Sequence, residues 1–204
     1  MLQEVQDHAV SARLEAVLIQ AAHDAGEQLS AFMERDVRLH GTSAQRVRLE
    51  DVPSVLDDRD GLVTAIYLGF TGDLEGHVML AFAPEIAAQM AAALLMEPVG
   101  APENLGPMET SALGEVGNIT AASFLNSVAS ACQLAVYPTP PLVVQDMAGA
   151  LLDGVILEMA LESTHGLLLH TLFEIDGDRL EGALILLPSA TADARLESAV
   201  AACQ

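Results

Sequence analysis

The sequence predicts a mixed α/β (α+β) fold in which one unit of helix, strand, short helix, strands and helix occurs twice around a shared sheet. Three observations predict it. A Gly72-Asp73 turn with Leu74-Glu75-Gly76 precedes one apolar run, and Asp176-Gly177-Asp178 with Leu180-Glu181-Gly182 precedes another. A proline, Pro84 or Pro188, follows each run where a helix begins, the position where a fixed φ and a missing N–H cost least. Helical and strand periodicities come in the same order on both sides of Glu97–Pro107, a linker with three Pro and two Gly. A repeat of roughly 100 residues is too long for a solenoid. It fits one domain over 1–204 with halves at about 10–97 and 107–202, related by a pseudo-two-fold axis.

In chain order, Leu14, Leu18, Ala22, Ala25, Leu29 and Phe32 recur with helical spacing from about Ala12 to Glu34. A polar stretch then leads to Val47–Leu49, and Glu50-Asp51 with Pro53 opens a short helix. Leu62–Phe70 and His77–Phe82 read as strands, and Ile86–Met96 as a helix. The second half gives a helix over Met108–Ala131, a strand at Gln133–Tyr137, the turn Pro138-Thr139-Pro140-Pro141 and a helical stretch at Met147–Leu152. Gly154–Leu161, Leu167–Ile175 and Ala183–Leu187 read as strands, and a last helix reaches about Ala201.

Composition excludes whole classes of function. The chain is 51% hydrophobic, enough to build a core. Eight basic residues, all Arg, face 29 acidic ones for a net charge of −21. That balance repels phosphate backbones and argues against nucleic acid. Aromatics at 3% are too few for a base-stacking platform. Without a single Lys, neither a Schiff base nor a P-loop is available. Cys132 and Cys203 have no metal-ligand spacing, and the six His show no HxxxH or HxH pattern, so no metal site is expected. The serines lack a GxSxG elbow, and no GxGxxG follows a strand. MLQEVQDHAV lacks a basic region followed by an apolar core, so no secretory leader is expected. No apolar run reaches the roughly 18 residues a membrane span needs, so a cytoplasmic protein is expected.

The informative stretch is Met108–Ile119. At about 100° per residue, Ser111, Glu115 and Asn118 fall on one helical face, while Leu113, Val116, Thr120 and Phe124 point toward a core. Ala122 and Ala129 continue the first stripe almost without side chains. A Glu and an Asn on an amphipathic helix are usually no more than a solvated face. Gly114 and Gly117 change that balance, because each glycine costs a helix interior roughly 1 kcal/mol relative to Ala. Close packing of the helix, or close approach of a partner, accounts for both.

Ser111, Glu115 and Asn118, followed after 22 residues by Pro141, resemble the motif of the CheC/CheX/FliY phosphatases of chemotaxis. The similarity extends through SALGEVGNITAASFLNSVAS, PTPP, DMAGALLDG and the terminal GALILLP, and the duplicated layout matches that family's internal symmetry. The resemblance implies a CheC-like fold and dephosphorylation of CheY-P, the phosphorylated response regulator. It implies that Glu115 pairs with a Lys of the receiver and that Asn118 orients the attacking water. Ser111 and Pro141 support the pair, and Ala122 and Leu125 meet the docked receiver. The only metal implied is Mg²⁺ held by the receiver; this chain would bind no cofactor.

The sequence departs from CheC in its first half. Overlaying the two long helices sets Ala16 against Glu115 and Ile19 against Asn118, and no Asn occurs before Asn104. One active site is therefore expected. Two other readings stay open at this level: a non-catalytic binding module of the same fold, as in flagellar switch proteins, and a regulator of the receptor deamidase CheD.

Overall fold

Helix α1 (Ala12–Met33) begins where the Ser11 hydroxyl accepts the Leu14 N–H at 3.3 Å, and it stops at Glu34, which turns left-handed at φ 51°. The structure, a computed structural model, describes residues 10–51, 61–151 and 165–202. Helix α2 (Pro84–Leu95) and helix α3 (Pro107–Ala131) each start with proline in the first turn, and helix α4 (Ala190–Ala202) follows Ser189. The strands are β1 (Val37–Arg48), β2 (Leu62–Gly72), β3 (Gly76–Phe82), β4 (Val136–Pro138), β5 (Leu142–Met147), β6 (His165–Ile175) and β7 (Asp178–Pro188). They form one seven-stranded sheet in the order β1-β6-β7-β3-β2-β4, with β5 also on β2. Every pairing is antiparallel.

That order exchanges strands between the halves. β1 of the first half lies on β6 of the second, and β4 and β5 of the second lie on β2 of the first. The central β3–β7 pair joins them. Helices α1 to α4 contribute to one apolar cluster with Ile66, Leu68, Leu80, Leu184 and Leu186, so they share a face of the sheet. A second cluster, including Ala65, Met79, Leu168 and Ile185, occupies the other face. Among the described residues, no helix is long and apolar enough to cross a membrane.

Two strands depart from the expectation. The stretch read as a polar lead-in is β1, twelve residues long. A bulge between Gly41 and Ser43 changes its phase, so Val37 and Leu39 face the helices while Val47 faces the opposite cluster. The bulge breaks the alternation that would identify the strand. The residues after the proline run form β5, and helix begins only at Ala148, not at Met147. The strand expected at Gln133–Tyr137 is the shorter β4. The expected strand at Gly154–Leu161 and the helix around Pro53 lie outside the described residues, apart from the 3₁₀ turn Leu49–Asp51.

Two aspartates fasten the exchanged strands at their ends. In the β6–β7 turn, the Asp176 N–H donates to Asp36 O at 2.9 Å, its Oδ1 accepts the Asp36 N–H at 3.3 Å, and Arg35 donates twice to Oδ2. In the β2–β3 turn, the Asp73 N–H donates to Ala135 O at 2.7 Å, its Oδ2 accepts the Ala135 N–H at 2.9 Å, and Arg195 donates to Oδ1 at 2.6 Å. The Ala135 N–H, then Arg195, hold the Asp73 carboxyl below its ordinary pKa. A depressed folded-state pKa gives stability that is present above the unfolded pKa and lost as pH falls through the folded value. Asp73→Ala should therefore lower the melting temperature at pH 7, and the gap to wild type should close as pH drops below the usual carboxylate range. Thermal melts across pH measure it; a gap that does not change with pH would contradict this role.

Candidate active site

Helix α3 is laid on the sheet by residues that demand contact. Leu113, Val116, Thr120, Ala121 and Phe124 are all fully buried beneath it. Gly117 sits where the helix presses on β2: a Cβ there would lie 2.1 Å from Ile66 Cγ2 and 3.0 Å from Ile66 Cβ. The clash is with a β-branched side chain that has little freedom to turn. Overpacking of this kind costs about 1–3 kcal/mol, against the roughly 1 kcal/mol that Ala offers a helix over Gly. Gly117→Ala should lower the melting temperature by a few degrees, a shift calorimetry resolves, whereas a higher melting temperature would mean that Ile66 gives way.

Gly114 is different. A Cβ on it would meet Val143 Cγ2 at 3.8 Å and Pro141 Cγ at 4.0 Å, which is ordinary contact. Packing does not require glycine there. The position instead brings Pro141 up to the helix beside Glu115, across 26 residues of sequence.

The exposed face carries the expected groups. Ser111 and Glu115 are exposed, Asn118 and Ala122 half-buried, and Pro141 half-buried across from Gly114. Among the described residues, neither Glu115 nor Asn118 has a side-chain hydrogen bond or ion pair. An unpaired carboxylate and an unpaired amide one turn apart can offer an anion for a cation, and one donor with one acceptor for a water. Met108 adds an apolar contact to this face: it is two turns before Glu115 and 61% exposed. Its place seven residues ahead of Glu115 was the signal for it.

Leu125 corrects the expected docking face. It is 2% exposed, and Ala129, expected to extend the stripe, is 4% exposed. Ser111 and Ala129 lie five turns apart at nearly the same azimuth, so periodicity alone makes them alike. Their neighbours differ. After α3 the chain folds back, Leu134 N–H donates to Ala129 O at 2.8 Å, and Leu125 and Ala129 join Val136 in the core. The open part of the stripe thus ends near Ala122.

Helix α1 carries no matching pair. Ala16 is exposed and Ile19 half-buried against Gly41, whose Cβ position is 3.3 Å from Ile19 Cα. In the same overlay Glu15 matches Gly114 and Ala44 matches Val143. There the Glu15 carboxylate accepts the Ala44 N–H at 3.3 Å. Asp24 fastens α1 to α3 by accepting from the Ser127 hydroxyl, and from Gln20 at 2.8 Å. These bonds, Ser127 first, hold its carboxyl below its ordinary pKa. His23, Asp24 and Glu27 place ligand atoms within 4.8 Å of one another, an arrangement exposed acidic surfaces commonly show without an ion.

Comparison with known proteins bears on the family and the fold. The family model described as chemotaxis phosphatase CheX matches residues 63–154. The CheY-P phosphatase CheC of Bacillus subtilis is 29% identical over 155 residues, which is 75% of this chain and 74% of that protein. Thermotoga maritima FliY matches the fold with a TM-score of 0.73 at 16% identity, covering 96% of this chain and 99% of FliY. The CheX–CheY–BeF3–Mg complex from Borrelia burgdorferi matches with a TM-score of 0.52 at 19% identity, over 83% and 97% of the two chains.

Proposed function

We propose that this chain, which belongs to the CheC/CheX/FliY family, hydrolyses the phospho-aspartate of a CheY-type receiver. The observation that carries the reading is the free Glu115 and Asn118 on one face of α3, with Pro141 against the helix beside them. An acyl phosphate is already activated, so catalysis needs placement and charge stabilisation more than a strong base. Glu115 anchors a cationic side chain of the receiver. Asn118 enters the receiver's pocket and holds a water in line with the phosphorus. The water oxygen bonds to phosphorus as the bond to the aspartyl oxygen breaks; the aspartate leaves as a carboxylate, and the water's proton goes to the released phosphate. A neutral amide does this without repelling the phosphoryl oxygens. Mg²⁺ bound by the receiver would offset charge on the phosphoryl group.

The exchanged strands support a single domain over 1–204, because neither half completes its sheet without the other. The protein acts in the cytoplasm, where its receiver is found. The test is the lifetime of a phosphorylated CheY-type receiver with Mg²⁺, with and without the protein. The protein should shorten that lifetime at substoichiometric concentration. Binding with an unchanged lifetime would instead mark a non-catalytic module. With one site, Gln20→Ala on the exposed face of α1 should leave turnover within about twofold. A tenfold loss, about 1.4 kcal/mol of barrier, would place an active surface on α1.

A further inference from the structure

Between β4 and β5 the chain has to gain a residue. Phe70 pairs with Pro138 and Tyr67 with Leu142. Leu68 and Gly69 of β2 therefore oppose Thr139, Pro140 and Pro141, two residues against three. A bulge of this kind bends the strand and re-aims a side chain. The side chain it re-aims here is Pro141, whose ring comes within 4.0 Å of the Gly114 Cβ position, beside Glu115.

Thr139 is the one member of Pro138–Pro141 with a backbone N–H. It donates that N–H to Gly69 O at 2.8 Å, and its hydroxyl accepts the Gly69 N–H at 2.9 Å. Gly69 makes the close approach possible, since a Cβ there would lie 3.3 Å from Thr139 Oγ1. At the far end of β5, Gln145 Nε2 donates to Thr64 Oγ1 at 3.0 Å and to Pro102 O at 2.8 Å. It ties the strand to β2 and to the linker that leads into α3. Gln145 thus holds the strand beyond the bulge, and the hydroxyl of Thr139 is the pin next to Pro141.

We infer that Thr139 is a positioning residue: its two-point bond to Gly69 fixes the bulge that sets Pro141 against α3, and so sets how deeply Asn118 reaches into a docked partner. The inference rests on the phosphatase reading above. Thr139→Val keeps the shape of the side chain but loses the acceptor; Thr139→Ser keeps the acceptor. Thr139→Val should lower kcat about tenfold with KM within about twofold, because a small misplacement near the reacting atoms costs rate before affinity. Thr139→Ser should restore kcat to within about twofold. Hydrogen exchange gives an independent readout: the Gly69 amide should lose protection about tenfold in Thr139→Val and keep it in Thr139→Ser.

Unchanged turnover in Thr139→Val would overturn the inference, even if Gly69 exchanges faster. A loss that Thr139→Ser does not rescue would overturn it too, since the hydroxyl would then not be the cause. If the wild-type chain releases no phosphate from any receiver, the phosphatase reading fails, and the exchange result alone decides the latch. Lost protection at Gly69 and along residues 142–147 upholds it, and unchanged protection refutes it.

Discussion

Asn118→Ala should lose turnover by about 10²–10³-fold while the receiver still binds. The size follows from what the amide is asked to do. Holding an attacking group in line removes much of the entropic cost of the step, and misplacing it by about 1 Å can cost about 10²-fold. The amide is available for that work, since Asn118 has no side-chain partner among the described residues and faces the same side as Glu115. An interaction made only in the transition state lowers kcat and kcat/KM together when it is removed. Single-turnover decay of the receiver's acyl phosphate, with affinity measured separately, checks both parts. A raised KM with unchanged kcat would move Asn118 from the chemistry to the docking.

Glu115→Ala should act the other way, raising KM and leaving kcat of the bound complex close to wild type. In the free protein Glu115 is exposed and unpaired, so removing it costs the fold little. Docking buries it against a cation, and truncating one partner of such a pair costs about 2–5 kcal/mol, much of it the penalty on the abandoned charge. The expected loss of affinity is therefore about thirtyfold or more. Raising the salt concentration should weaken wild-type docking and have less effect on the variant. Titration of a receiver trapped in its phosphorylated form by a beryllofluoride mimic reads the affinity directly. Equal affinities for wild type and Glu115→Ala would remove Glu115 from the interface.

Much of this architecture was legible before any coordinates, and the parts that were not have identifiable causes. Helices α1 and α3 and strands β2, β3, β6 and β7 follow from apolar spacing, because each lays a continuous apolar face on a core. β1 was hidden by its own bulge, which moves Val47 to the face opposite Val37 and Leu39. β5 was hidden behind prolines that read as a turn, and its pairing with β2 is long-range information that no local pattern carries. The strand exchange between halves is likewise invisible along the chain.

The site divides along the same line. Ser111, Glu115 and Asn118 share a face because the i, i+4 and i+7 spacing over eight residues of helix places them there. Leu125 and Ala129 fail because burial depends on what lies beside the helix, and that changes where the chain folds back through Leu134. Gly114 and Gly117 looked alike in sequence, yet one faces Ile66 at clash distance and the other faces Pro141 with room to spare. Pro141 came to the motif through family resemblance alone. Its approach to α3 depends on a two-against-three mismatch between strands, which only the register reveals.

The central claim, that a neutral amide on α3 directs water at a receiver's phospho-aspartate, is tested most directly by Asn118→Asp. The change keeps size and shape but sets a negative charge beside the phosphoryl oxygens. The measurement is the decay rate of a phosphorylated CheY-type receiver in Mg²⁺ at neutral pH, with wild type and with the variant. Wild type should accelerate the decay, and Asn118→Asp should be as inactive as Asn118→Ala or worse. An aspartate variant that matches or exceeds wild type would make residue 118 a general base and contradict the mechanism.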